Sequence, residues 1–129
     1  MASILVVEDD KDLNKAYQLI LEKSGHTVKV AFNGDEALDE LKTFNPDLIL
    51  LDLLMPVRSG IEFLKKYDLA SSHPDVSVIV FTNLESDPQI DQAFDLGVQK
   101  CVVKSWTPPQ GLIKVVDGVL GAKQTATKA

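Results

Sequence analysis

Apolar residues along the chain follow two alternating periods. Short apolar runs, ILVV (4–7), TVKVA (27–31), DLILL (47–51), VSVIVF (76–81) and CVV (101–103), have the length and β-branched content of strands. Between them, apolar residues recur at helical spacing. The first such stripe is Leu13, Tyr17, Ile20 and Leu21, and the second is Ala37, Leu38 and Leu41. Ile61, Phe63, Leu64 and Tyr67 make a third, Ile90, Ala93, Phe94 and Leu96 a fourth, and Leu112, Val115, Val116, Val119 and Leu120 a fifth.

Polar residues mark the ends of these helices. Ser59 with Glu62 and Thr107 with Gln110 have capping-box spacing, with Asn33 and Glu36 a weaker relative, and Asp10 reads as the cap of the first helix. Pro88 and Pro108 stand where proline suits a first turn, and Gly25 and Gly97 where helices one and four should stop. Five strands alternating with five helices predict an α/β fold with one parallel sheet covered on both faces. Strands that are continuously apolar agree, because both of their faces are then buried. Right-handed crossovers leave few topologies, and the expected one is a doubly wound, flavodoxin-like, five-stranded sheet of order 2-1-3-4-5.

A length of 129 residues fits one domain with a real core. The expected domain is 1–121, and the tail AKQTATKA (122–129) is small and polar, which implies disorder. The formal net charge of −6, with no cluster of Lys and Arg, argues against nucleic acid as a partner. The single cysteine, Cys101, excludes an internal disulfide and a multi-cysteine metal site. No leader pattern follows Met1 and no apolar stretch reaches membrane-spanning length, so a cytoplasmic protein is expected.

Ligands of an open parallel sheet bind beyond the carboxyl ends of its strands. Strand one is followed by Glu8 and Asp9, strand three by Asp52, strand four ends at Thr82 and Asn83, and strand five is followed by Lys104 and Ser105. Asp52 stands out, because the run LILL (48–51) precedes it and LLMP (53–56) follows it. A carboxylate in such company is costly unless something pairs with it. In the expected strand order these four ends are contiguous, so three carboxylates, a hydroxyl and an ammonium converge. A hard dication with oxygen ligands relieves the repulsion among the acids, and Mg²⁺ suits so few carboxylates. Such a set can transfer a phosphoryl group to Asp52, with Mg²⁺ and Lys104 on the equatorial oxygens and the Thr82 hydroxyl donating to one of them.

These residues resemble the receiver domain of two-component response regulators. ILVVEDD resembles its first strand and acidic pair, and LLDLLMPVRSG its phosphoacceptor segment, with Met55, Pro56 and Gly60 at the family spacing. VIVFTN and CVVKS resemble the strands that carry its hydroxyl and lysine, and the likeness spans residues 3–121. The resemblance implies Glu8 and Asp9 as metal-binding pair, Asp52 as phosphoacceptor and metal ligand, and the Leu54 backbone carbonyl as a further ligand. It implies Thr82 as switch hydroxyl and Lys104 as the phosphate-contacting lysine. It further implies a phosphohistidine donor, on a sensor histidine kinase or a histidine phosphotransfer protein. The expected function is a stand-alone switch, and not an enzyme beyond its own phosphoryl transfer and hydrolysis. A downstream protein would then bind the face of helix four, strand five and helix five.

Two positions depart from the family pattern. Cys101 stands where the family usually carries Tyr or Phe, and Ser105 follows the lysine where proline is usual, with Trp106 just beyond. Two other readings compete. An aspartate-nucleophile phosphatase of the haloacid dehalogenase type would want an acid at position 54, where this chain has Leu54. A receiver-like module that is never phosphorylated would suit the departures, yet not the intact acidic set. His26 and His73 lie in polar turns and are expected at the surface.

Overall fold

The computed structural model describes residues 2–55, 59–73, 75–83, 87–104 and 108–128, with the side chains at 70, 109 and 122–128 outside the description. The strands are β1 (Ser3–Val7), β2 (Thr27–Ala31), β3 (Leu48–Leu51), β4 (Ser77–Thr82) and β5 (Lys100–Val103). They pair in parallel in the order β2-β1-β3-β4-β5. The helices are α1 (Lys11–Lys23), α2 (Gly34–Glu40), α3 (Gly60–Tyr67), α4 (Pro88–Asp95) and α5 (Pro109–Lys128), with a single helical turn, Leu69–Ser72, after α3. The expected doubly wound fold is the observed one.

Alternation along the strands divides the core in two. Leu5, Val7, Ile49, Leu51, Val78 and Val80 face one side, where they meet Ala37, Phe63, Leu64 and Ala93 of α2, α3 and α4. Ile4, Val6, Leu48, Leu50, Ile79 and Phe81 face the other, against Tyr17, Leu21, Leu112 and Val116 of α1 and α5. Every residue of β3 and β4 is buried, as expected of strands between two helical layers.

The helix ends follow the sequence signals. Asp10 Oδ1 accepts from the Leu13 N–H at 3.1 Å, and Asp87 Oδ1 accepts from the Gln89 N–H at 2.8 Å just before Pro88. Ser59 and Glu62 form a complete capping box at the start of α3. Asn33 caps α2, but Glu36 reaches back to the Phe32 N–H and not to that of Asn33. Gly25 (φ 96°) and Gly97 (φ 103°) supply the left-handed turns after α1 and α4. Asp68, at φ 57°, breaks the third helix from the single turn beyond it. The expected cap at Thr107 lies outside the described residues.

Three details differ from the sequence reading or add to it. The His26 side chain is not at the surface: it is 7% exposed, and its Nδ1 accepts from the Ala2 N–H at 3.2 Å. Its Nε2 stands 3.4 Å from Asp117 on α5, so the ring is packed between the N-terminus and that helix. His73 is half-buried, stacked on Tyr67 with centroids 3.9 Å apart. Helix α5 includes residues 122–128, where Ala, Lys and Gln are good helix formers. No helix among the described residues is long and apolar enough to cross a membrane.

Candidate functional site

Backbone hydrogen bonding carries the two inner acids one residue past their strands. The Glu8 N–H donates to the Ala31 carbonyl at 3.1 Å, and the Asp52 N–H donates to the Val7 carbonyl at 3.0 Å. Each therefore sits on the last rung of the sheet, where the chain leaves for a loop. Glu8 and Asp52 are buried, at 3% and 6% exposure, while Asp9 is exposed. One carboxylate oxygen from each of Glu8, Asp9 and Asp52 lies within 4.8 Å of the others.

Lys104 enters from the residue after β5. Its Nζ donates to Asp52 Oδ2 at 2.9 Å and to Glu8 Oε1, and the side chain is 12% exposed. The remaining oxygens are also held: Glu8 Oε2 accepts from the Asp10 N–H at 3.1 Å, and Asp52 Oδ1 accepts from the Leu54 N–H at 3.1 Å. Thr82 ends β4, is buried at 1% exposure, and pairs in register with Val103, next to the lysine. The structure thus brings together the polar ends of four strands.

Charge balance in this pocket is uneven. Burial pushes the Glu8 carboxyl up to about 7, against the pull of Lys104 and the Asp10 N–H, and the charge of Asp52 adds to the rise. Burial alone would lower Lys104, but its hydrogen bonds to Glu8 and Asp52 and their charges raise it above the ordinary lysine value. One ammonium faces three carboxyl groups, so a further cation at the pocket would offset repulsion that Lys104 alone leaves in place. The donors are all oxygens within reach of one small ion, which fits a hard dication such as Mg²⁺.

The surrounding packing fixes this geometry. At Gly60 a Cβ would lie 2.6 Å from the Asp52 carbonyl oxygen and 2.7 Å from the Leu53 Cα, so α3 can start against the loop after β3 only with glycine there. Tyr17 of α1, 3% exposed, packs edge-on against Phe81 with centroids 5.3 Å apart, and both rings line a crevice together with Glu8 and Asp52. Burial and then the charges of Glu8, Asp52 and Asp10 push its phenol upward, so its hydroxyl stays neutral. Asn14 of α1 is 1% exposed, and its Nδ2 donates to the carbonyls of Glu8 at 3.0 Å and Ala31 at 3.1 Å. Neither Asn14 nor Tyr17 was singled out above as part of the site. The available signal was position: residues 14, 17 and 21 share one inward helical face, and 14 is its polar member.

The sequence profile described as the response regulator receiver domain matches residues 4–117. The chain belongs to the receiver family. It is 32% identical over 123 residues to the transcriptional regulatory protein ResD of Bacillus subtilis, covering 95% of this chain and 50% of that protein. It is 30% identical over 122 residues to the protein CcdB of Bacillus subtilis, covering 94% and 99%. The chain therefore spans about half the length of the transcriptional regulators it matches, and nearly all of CcdB. Among solved structures, chemotaxis protein CheY4 of Vibrio cholerae superposes with a TM-score of 0.83 at 28% identity, over 92% of this chain and 98% of the other. The response regulator TrrA of Thermotoga maritima, solved in complex with Mg²⁺ and BeF, gives 0.78 at 28% identity over 92% and 98%. The receiver fold is a signalling module, and the acidic pocket of this receiver fits both a dication and a phosphorylation site.

Of the other positions named from the sequence, Leu54 has an exposed side chain, at 49%, and its N–H is the donor to Asp52. Met55 packs, partly buried, against the α2–α3–α4 side of the core. Cys101 is half-buried against that same cluster, and burial pushes its thiol up to about 11, which suits an inert packing residue. Pro56, Ser105 with its peptide bond to Lys104, and Trp106 lie outside the described residues.

Proposed function

We propose that this receiver accepts a phosphoryl group on Asp52 from a phosphohistidine donor, with Mg²⁺ held by Glu8, Asp9, Asp52 and the Leu54 carbonyl. An Asp52 carboxylate oxygen attacks phosphorus, the P–N bond to the donor imidazole breaks, and the imidazole keeps the electron pair. The ion, when bound, neutralises charge on the transferring oxygens. Lys104, already on Asp52 Oδ2, binds an equatorial oxygen of the incoming group. The Leu54 N–H holds the other oxygen of Asp52 and so orients the nucleophile. Thr82, at the end of β4, donates its hydroxyl to the phosphoryl group after transfer. Water later hydrolyses the acyl phosphate in the same pocket, so the module resets without a separate active site.

The donor on this reading is a sensor histidine kinase or a histidine phosphotransfer protein, in the cytoplasm. The closing of Thr82 and Lys104 on the phosphoryl group shifts α4, β5 and α5, and a downstream protein reads that face. Residues 1–121 carry this activity. The observation that carries the reading is the convergence of Glu8, Asp9 and Asp52 within 4.8 Å, with Lys104 bonded to the two buried acids. Incubation with acetyl phosphate and Mg²⁺, followed by intact-protein mass measurement, tests it. The wild type should gain one phosphoryl group and the Asp52→Asn variant none; equal labelling of both would remove Asp52 from the role.

A further inference from the structure

Behind the acidic pair, a buried polar side chain of α1 is hydrogen-bonded to the backbone at Glu8. Asn14 lies one turn into α1, buried at 1% exposure, and its two amide hydrogens reach two different strands. One goes to the Glu8 carbonyl at 3.0 Å and the other to the Ala31 carbonyl at 3.1 Å. The Ala31 carbonyl also accepts from the Glu8 N–H at 3.1 Å, so the amide and carbonyl of residue 8 are both tied into one small hydrogen-bonded cluster. Asn14 Oδ1, in contrast, is buried without a hydrogen-bond partner among the described residues.

That imbalance carries information. A buried acceptor left unpaired works against the fold, and an apolar residue of similar size would avoid it. The benefit of the amide lies wholly in its donors, and both donors converge where Glu8 leaves the sheet and the chain turns to Asp9. Rotation of the peptide after Glu8 would carry the Asp9 carboxylate out of the 4.8 Å group, because position 9 follows that peptide directly. We propose that Asn14 is a positioning residue that locks the Glu8–Asp9 peptide through its carbonyl and so sets the dication affinity of the acidic pocket. The inference rests on the Mg²⁺-dependent reading of that pocket. Groups that orient metal ligands from outside the coordination shell typically change affinity about 10- to 100-fold when removed.

The test uses Asn14→Leu, which removes both donors together with the unpaired acceptor, and Asn14→Ser, which is smaller and keeps one donor. Mg²⁺ binding is followed by isothermal titration, and the rate of phosphorylation by acetyl phosphate is measured across a Mg²⁺ series. In Asn14→Leu the Mg²⁺ dissociation constant and the half-saturating Mg²⁺ concentration should both rise by about tenfold or more. The rate at saturating Mg²⁺ should recover, and Asn14→Ser should fall between Asn14→Leu and the wild type. A purely structural residue would instead lower the folded fraction or the saturated rate without moving the Mg²⁺ midpoint. Unchanged Mg²⁺ affinity in both variants, with the wild type binding normally, overturns the role of Asn14 alone. Failure of the wild type itself to bind Mg²⁺ overturns the pocket reading and this inference with it. Should Asn14→Leu fail to fold, the midpoint of Asn14→Ser decides.

Discussion

Lys104 Nζ lies 2.9 Å from Asp52 Oδ2 and is bonded at the same time to Glu8, so one ammonium bridges acids from two strands. Its own strand is separated from that of Asp52 by β4, which places the lysine across the pocket mouth. The arrangement gives Lys104 two duties on the proposed reading: it offsets the charge of the buried acids, and it lies on the carboxylate of the proposed phosphoacceptor.

Replacing Lys104 with methionine separates these duties. The buried acids lose their cation, which should cost about 3 kcal/mol in metal-free buffer, since one partner of a buried ion pair is removed. Added Mg²⁺ should recover much of that loss, because it supplies the missing positive charge. The phosphorylation rate at saturating Mg²⁺ should still fall by about a hundredfold, the usual cost of losing a donor to a charged transition state. Chemical denaturation with and without Mg²⁺, beside labelling kinetics, checks both.

Glu8 predicts how stability depends on pH. Its carboxyl is pushed from 4.5 up to about 7 in the folded protein, chiefly by burial, so the fold holds this proton more tightly than the unfolded chain does. Its contribution is therefore greatest at acid pH and declines as pH rises from about 4.5 to about 7, by up to about 3 kcal/mol. On the proposed reading Mg²⁺ would bind the ionised carboxylate and oppose this decline. The Mg²⁺-induced rise in Tm should be larger at pH 8 than at pH 5; equal rises at the two values would contradict it.

Gly60 and Ser59, adjacent in sequence, should behave differently. Gly60→Ala would place a Cβ 2.6 Å from the Asp52 carbonyl oxygen and 2.7 Å from the Leu53 Cα, both backbone atoms that cannot simply rotate away. It should destabilise by about 1–3 kcal/mol and slow phosphorylation, because the acceptor loop must move. Ser59→Ala removes half of the capping box and should cost about 1 kcal/mol while leaving the phosphorylation rate as it is. Urea denaturation and acetyl phosphate kinetics on both variants separate the two effects.

The contrast between these residues and others shows what a linear sequence carries. Asp52 was visible because a carboxylate interrupts an apolar run, and Ser59, Asp10 and Gly25 because their signals act over a few residues. The strand order could be inferred because parallel connections are right-handed and short. Asn14 was hidden, since its partners are the carbonyls of residues 8 and 31, and backbone acceptors leave no mark in side-chain chemistry. His26 was misplaced for a related reason. Its partners, Ala2 and Asp117, lie at opposite ends of the chain, and only the packed fold brings them to one imidazole. Local chemistry is legible in sequence, whereas burial created by distant segments is not.

The most direct test of the account is a structure of the protein with Mg²⁺ and beryllofluoride. The account predicts the ion on the carboxylates of Glu8, Asp9 and Asp52, and the fluoride group on Asp52 with a fluorine against Lys104. An ion bound elsewhere, or a beryllofluoride group away from Asp52, would contradict it.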